Sequence, residues 1–317
     1  MYSTINTSSP ALSQAEASYH IDQFVADVLR YKEQAYIPQP DATKPYRMTT
    51  LGLDLQYLNQ MIALFDGRVD YDYSENLELF IEACHDIRLE YDGYRYICPD
   101  PEGSGSFLSE PETMNLLVER IRDLSRLDDY RRRSADRRYQ AKRQAEDVQA
   151  FVERVMDRYS KTLVLRVNLY YREAARQWLS IEQVFEDMNR LAKARRSHPI
   201  FEHLVGSIVR VDQGQDQGFH LHVAFFFNGS EVFRQFRIAE RIGELWNEIT
   251  QNRGYWHDSS RDFTGDEDLR GTGMFRRSDS KGRKAVANLM TYLVKDKQQY
   301  LRIKPAVTRA YRTSCIR

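Results

Sequence analysis

His220 and His222 are separated by one residue within residues 219–227 (FHLHVAFFF). In an extended chain the side chains alternate, so both imidazoles project side by side while Phe219, Leu221, Val223, Phe225 and Phe227 line the opposite face. On a helix the same pair would point roughly 200° apart. Two adjacent imidazoles can close on one divalent cation; the plainer alternative is a pair of hydrogen-bonded polar residues on a wet sheet face. A second group with chemical potential lies nearer the C-terminus. Tyr292 and Lys295, within LMTYLVKDKQ, stand at helical spacing and share a face with Asn288 and Gln299. A phenol and an ammonium three residues apart can address the same phosphate.

The two motifs, in this order and roughly 70 residues apart, together resemble the HUH endonucleases, the replication initiators and relaxases that nick single-stranded DNA through a tyrosine. The closer likeness is to the inovirus-type replication-associated proteins, the YagK/YfjJ-like family. It is carried by residues 161–171 (KTLVLRVNLYY), 219–227 and 292–304 (YLVKDKQQYLRIK), and covers the C-terminal half of the chain.

The resemblance implies a C-terminal antiparallel-sheet nuclease domain of the palm or RRM-like kind. In it His220 and His222 hold Mg²⁺ or Mn²⁺ with a third ligand, for which Asp212, His203, Glu202 and Asn168 are the candidates. Tyr292 attacks the scissile phosphate, leaving a 5'-phosphotyrosine link and a free 3'-hydroxyl, with Lys295 assisting. The implied partner is single-stranded DNA or a DNA hairpin at the replication origin of a phage, satellite or related mobile element, with a host replication helicase beside it. Tyr300, eight residues beyond Tyr292, reads as core or as a DNA-stacking residue.

Charge distribution bears on that partner. The formal net charge is +0, yet residues 51–112 carry 14 acidic residues against three arginines, and residues 270–317 carry 13 Lys or Arg against Asp279 and Asp296. Nucleic acid responds to local potential rather than to whole-chain charge. Arg166, Arg276, Arg277, Lys281, Arg283, Lys284, Asn288 and Gln299 are therefore the candidate DNA contacts. A hydrophobic share of 42% with 29% charged residues suits a soluble globular protein. No stretch approaches the roughly 18 uninterrupted apolar residues of a membrane span, and the Ser- and Thr-rich start is no signal peptide, so a cytoplasmic protein without a membrane partner is expected. Cys84, Cys98 and Cys315 lack metal-type spacing.

The elements that must position these groups follow from periodicity, and the expected class is α+β, a helical N-terminal module followed by the antiparallel sheet. Residues 1–18 read as a mobile leader, 19–158 as the helical module, 159–310 as the nuclease-like domain and 311–317 as a tail. Helices are expected over residues 19–35, 53–65 and 77–89. Ser109 followed by Glu112 predicts a capping box, opening a long helix that runs through a basic stretch (Arg131–Arg133, Arg137, Arg138, Lys142, Arg143) to Tyr159.

In the second module strands are expected over residues 163–171 and 203–212, then a loop at 213–218 and the histidine strand. Helices are expected over 172–195, 231–251 and 285–299, with an irregular segment at 252–284. With Asp212 opposite Phe219, the residues sharing the histidine face would be His203, Val205, Ser207, Val209 and Val211. Two other functions fit parts of the pattern. A non-cleaving single-stranded DNA-binding or regulatory protein would use the basic and aromatic residues alone. A metal-dependent phosphohydrolase or polymerase palm would need two or three converging carboxylates, which the histidine strand lacks.

Overall fold

The computed structural model describes residues 11–41, 43–67, 70–232, 235–262, 270–295 and 301–315. The fold is mixed α and β with antiparallel sheets, and the chain divides into two units, Met1–Asp136 and Arg137–Arg317. Among the described residues no helix is long and apolar enough to cross a membrane.

The first unit is mainly helical. Helix α1 (Gln14–Arg30) starts inside the expected leader: the Ser13 N–H donates to Glu16 Oε2 at 2.8 Å and Ser13 Oγ accepts from the Glu16 N–H at 3.3 Å, satisfying two otherwise orphan donors. Its stripe of Ile21, Phe24, Val25 and Val28 is fully buried. The hairpin β1 (Tyr36–Pro38) and β2 (Tyr46–Met48) follows. In place of one helix over 53–65 there are α2 (Thr50–Asp54) and α3 (Leu58–Ala63), joined by a 3-10 turn. After β3 (Tyr71–Tyr73) and α4 (Glu75–Asp86), β4 (Glu90–Tyr91) pairs with β5 (Tyr96–Ile97).

Helix α5 (Glu110–Ser125) opens on the capping box expected from sequence, with the Ser109 N–H donating to Glu112 Oε2 at 2.9 Å. The expected long helix then breaks, and α6 (Asp128–Arg158) begins anew. Part of its basic stretch is already neutralised, since Arg133 pairs with Glu82 at 2.7 Å and with Glu78 at 3.3 Å.

The second unit begins within α6 rather than at residue 159, because Val148, Phe151, Val152 and Val155 belong to the core beneath its sheet. In order it contains β6 (Lys161–Tyr171), α7 (Glu173–Arg176), α8 (Ile181–Ser197), β7 (Leu204–Gly214), β8 (Gly218–Asn228), α9 (Gln235–Ile249), β9 (Gly254–Asp258), β10 (Gly273–Arg276), α10 (Ser280–Lys295), β11 (Ile303–Pro305) and β12 (Tyr311–Cys315). The main sheet runs β10-β6-β8-β7-β12, and β9 pairs with β6 on residues 167–171 while β10 takes residues 161–164. The expected tail is therefore the edge strand β12, paired to β7. The segment at 252–284 likewise contributes β9 and β10.

Helices cover both sheet faces. Phe219, Leu221, Val223, Phe225 and Phe227 are buried on the face toward α8 and α9, where Tyr171 meets Trp246 edge-on at 5.4 Å. On the other face Val164, Ile208, Ala224 and Phe226 pack with α6 and with Val286, Ala287, Met290 and Leu293 of α10. That second face is the one bearing the histidines. A wet sheet face is thus corrected to a covered one, apolar at one end and polar at the other. The helix expected over 172–195 is interrupted, leaving Trp178 87% exposed. Ser180 then caps α8 by accepting from the Gln183 N–H at 3.4 Å.

Candidate metal centre and nucleophile helix

Register decides which side chains meet. Strands β7 and β8 form a hairpin in which Asp212 lies opposite His220, Arg210 opposite His222 and Ile208 opposite Ala224. The pairing is one residue away from the register expected with Asp212 opposite Phe219, and a slip of one exchanges the faces. The residues that share the histidine face are therefore Asp212, Arg210 and Ile208, whereas Val211, Val209 and Ser207 face the other way; Val205, at the bulge between Leu204 and Gly206, packs on the histidine side as expected. The strands run on to Gly214 and Gly218, and Gly218, at φ 59°, closes a three-residue loop. A left-handed residue at this position is what such hairpins require. Asn168 of β6 stands opposite His222 from the other side.

These neighbours hold both imidazoles in one tautomer. His220 Nδ1 is 3.0 Å from the Gly218 carbonyl oxygen, which only accepts, so Nδ1–H donates to it. His222 Nδ1 donates likewise to Asn168 Oδ1 at 2.7 Å. Each ring then presents an Nε2 lone pair, and the two Nε2 atoms are 3.3 Å apart. Asp212 Oδ2 lies 3.5 Å from His222 Nε2. All three residues are buried, and their ligand atoms fall within 4.8 Å of one another. Two neutral imidazoles facing each other in a dry site are relieved either by a shared proton or by a metal cation, and the Asp212 carboxylate beside them is paired on its other oxygen with Arg210. The donor set, two imidazole nitrogens and one carboxylate oxygen with each imidazole fixed through its far nitrogen, suits a divalent ion.

Of the four candidates for a third ligand, the structure brings Asp212 to the histidines and places Asn168 behind His222 as its hydrogen-bond partner. Glu202 and His203 sit just before β7, at the end of the strand remote from Asp212. They do not converge on the pair.

Arg210 was not expected. It is buried, its Nε pairs with Asp212 Oδ1, and its Nη1 donates to the carbonyl of Leu293 on α10. It thereby ties the polar end of the sheet to the helix turn that carries Tyr292. The alternation of β7 would have revealed it had the register been right. Tyr292 itself is 61% exposed while Leu293 and Met290 anchor α10 beneath it. Lys295 ends α10; Gln299 and Tyr300 lie outside the described residues.

The remaining candidates divide. Arg166, half-buried on β6, shares the site face, and its Nε is buried without a hydrogen-bond partner among the described residues. Burial holds its guanidinium below the ordinary arginine range, and the charges of Tyr170, Asp262, Tyr292 and Asp212 act on it in the opposite sense. Arg166 is thus within electrostatic reach of both the cluster and the tyrosine.

Arg277, Arg283, Lys284 and Asn288 line a cleft of about 430 Å³ between α6 and the first turns of α10. Arg276, Lys281, Lys284 and Asn288 are exposed. Arg283 is already occupied, pairing with Glu153 and, at 2.5 Å, with Asp157. It holds α10 to α6.

Comparison of the chain with protein-family models, curated proteins and solved structures found no match.

Proposed function

We propose that this protein is a metal-dependent endonuclease and strand transferase of the HUH type, nicking and rejoining single-stranded DNA through Tyr292. The observation that carries the reading is the pair of Nε2 atoms on one strand, completed by Asp212 and linked through Arg210 to the helix bearing an exposed tyrosine. An Mg²⁺ or Mn²⁺ ion on His220, His222 and Asp212 would supply charge neutralisation at the scissile phosphate. The chain's own residues do the rest.

Tyr292 Oη attacks phosphorus in line, the Oη–P bond forms as the P–O3' bond breaks, the phenolic proton passes to solvent, and the departing 3'-oxygen is protonated to a free hydroxyl. The covalent link conserves the phosphodiester for rejoining, when the 3'-hydroxyl attacks and releases Tyr292. Arg166, whose Nε has no hydrogen-bond partner among the described residues and whose guanidinium feels the charges of both Asp212 and Tyr292, is suited to hold a phosphate oxygen. Lys295, three residues after Tyr292, remains the candidate to offset charge on the same phosphate. Such a reaction serves rolling-circle replication of a phage, satellite or related element. A palm with two metals is less well supported, since the cluster contains one carboxylate among the described residues.

The test is incubation with labelled single-stranded DNA and Mn²⁺ followed by a denaturing gel. A DNA-protein adduct that disappears with chelator supports the proposal. Its absence from the wild-type protein with every divalent ion tried would refute it.

A further inference from the structure

Beside the histidines a column of rings runs toward the sheet edge. Tyr170 lies 5.3 Å from His220, centroid to centroid, with 31° between planes, and Tyr255 stacks on Tyr170 at 5.1 Å and 21°. Register explains the column, because Tyr255 of β9 is paired with Tyr170 of β6, so both rings stand on the histidine face. Tyr170 is covered by a ring on either side. Tyr255 ends the series: it is half-buried on an edge strand, and among the described residues no further ring stacks on it. Its hydroxyl donates to Gln217 Oε1 at 3.0 Å, in the loop between β7 and β8, so the ring is already ordered. His257, two residues along and exposed, shares the face.

On these grounds we propose that the open face of Tyr255 is a stacking seat for a nucleobase of single-stranded DNA next to the nick site. The inference rests on the nuclease reading for its ligand class, and it adds where a base is held. An ordered aromatic face at the end of a column binds any base through its π-surface, without reading its edge. Arg166 and Tyr170 lie on the same strand face, four residues or roughly 13 Å apart. The phosphate held near Arg166 and the base held on Tyr255 therefore belong to one strand crossing the sheet from α10 toward β9. Stacking on the seat gives a base-dependent gain, separate from the phosphate contacts that set salt dependence.

The experiment compares binding of fluorescein-labelled oligothymidine and a fully abasic chain of equal length, by anisotropy in chelator so that no nicking occurs. Wild type is expected to prefer oligothymidine by roughly 5- to 150-fold, the range for one stacked base. Tyr255→Ile, which keeps a strand-forming residue and removes the ring, should lose that preference while its affinity for the abasic chain stays unchanged. Tyr255→Trp should keep it. A preference that survives in Tyr255→Ile, an equal loss for both chains, or a wild type indifferent to bases would each overturn the seat.

The Mn²⁺ adduct assay separates the two ideas. An adduct together with a Tyr255-independent preference leaves the nuclease reading standing and removes the seat. A Tyr255-dependent preference without any adduct does the reverse.

Discussion

Replacing Arg210 by Met tests how the polar end of the sheet is held together. The Arg210 and Asp212 side chains are 10% and 2% exposed, so the substitution leaves a carboxylate in a dry site beside two imidazoles and deprives the Leu293 carbonyl of its donor. Breaking one side of a buried pair costs about 3–5 kcal/mol, a large part of the roughly 5–15 kcal/mol that holds a domain folded. With a urea slope of about 2 kcal/mol per molar, the midpoint should fall by about 2 M.

All three tryptophans, Trp178, Trp246 and Trp256, lie in the second unit, so their fluorescence reports its unfolding. Glu186→Gln is the control: its pair with Arg190 is 3.9 Å long and half exposed, and exposed pairs contribute about 0–1 kcal/mol. Adding Asp212→Leu to Arg210→Met should recover much of the loss, because two apolar groups replace the ion pair. A midpoint in Arg210→Met equal to that of Glu186→Gln would refute the clamp.

Four further outcomes are expected. Saturating Mn²⁺ should stabilise the wild type by about 2.7 kcal/mol at a hundredfold excess over Kd, and His220→Gln with His222→Gln should abolish both that increment and nicking; calorimetry with and without chelator measures it. Neutralising Arg276, Lys281 and Lys284 should flatten the dependence of log affinity on log salt by about 0.7 per lost phosphate contact on single-stranded DNA, and an unaltered slope marks the stretch as merely solvated. Arg283→Gln should act on stability instead, because its guanidinium is paired with Glu153 and Asp157. That guanidinium holds the Asp157 carboxyl below its ordinary 3.8; with the folded value the lower, the pair's contribution is present above the unfolded value and is lost as pH falls through the folded one, so acid unfolding profiles of wild type and Arg283→Gln should converge.

The long strands β6 and β8 were legible because their alternation runs over nine or more residues, α1 because its apolar stripe recurs at helical spacing, and α5 because Ser109-x-x-Glu112 precedes its stripe; the Ser13–Glu16 box that starts α1 lies inside the expected leader and was not expected. Register was harder. The polar run QGQDQG reads as one loop, yet Gln213 and Gly214 continue β7, and Gly218 supplies the left-handed turn position that fixes Asp212 opposite His220. The third member of the candidate metal cluster therefore emerged from pairing across strands, not from spacing along one. Edge strands β9, β10 and β12 are four or five residues long, too short for a period to rise above the glycines and polar residues around them. Tyr255 owes its placement to such an edge strand, β9, whereas Arg210 follows from the alternation of β7 once its register against β8 is known. The coverage of the histidine face by α6 and α10 is likewise a tertiary fact, and it makes the pair a buried site instead of a wet one.

The claim that Tyr292 is the nucleophile is tested most directly by locating the attached nucleotide. Wild-type protein incubated with single-stranded DNA and Mn²⁺, then digested and sequenced by mass spectrometry, should carry a nucleotide on the peptide containing Tyr292. Tyr292→Phe, which keeps the ring and removes only the hydroxyl of an exposed side chain, should bind DNA as the wild type does and form no adduct. A nucleotide found on Tyr300 or any other residue, or full activity in Tyr292→Phe, would contradict the account.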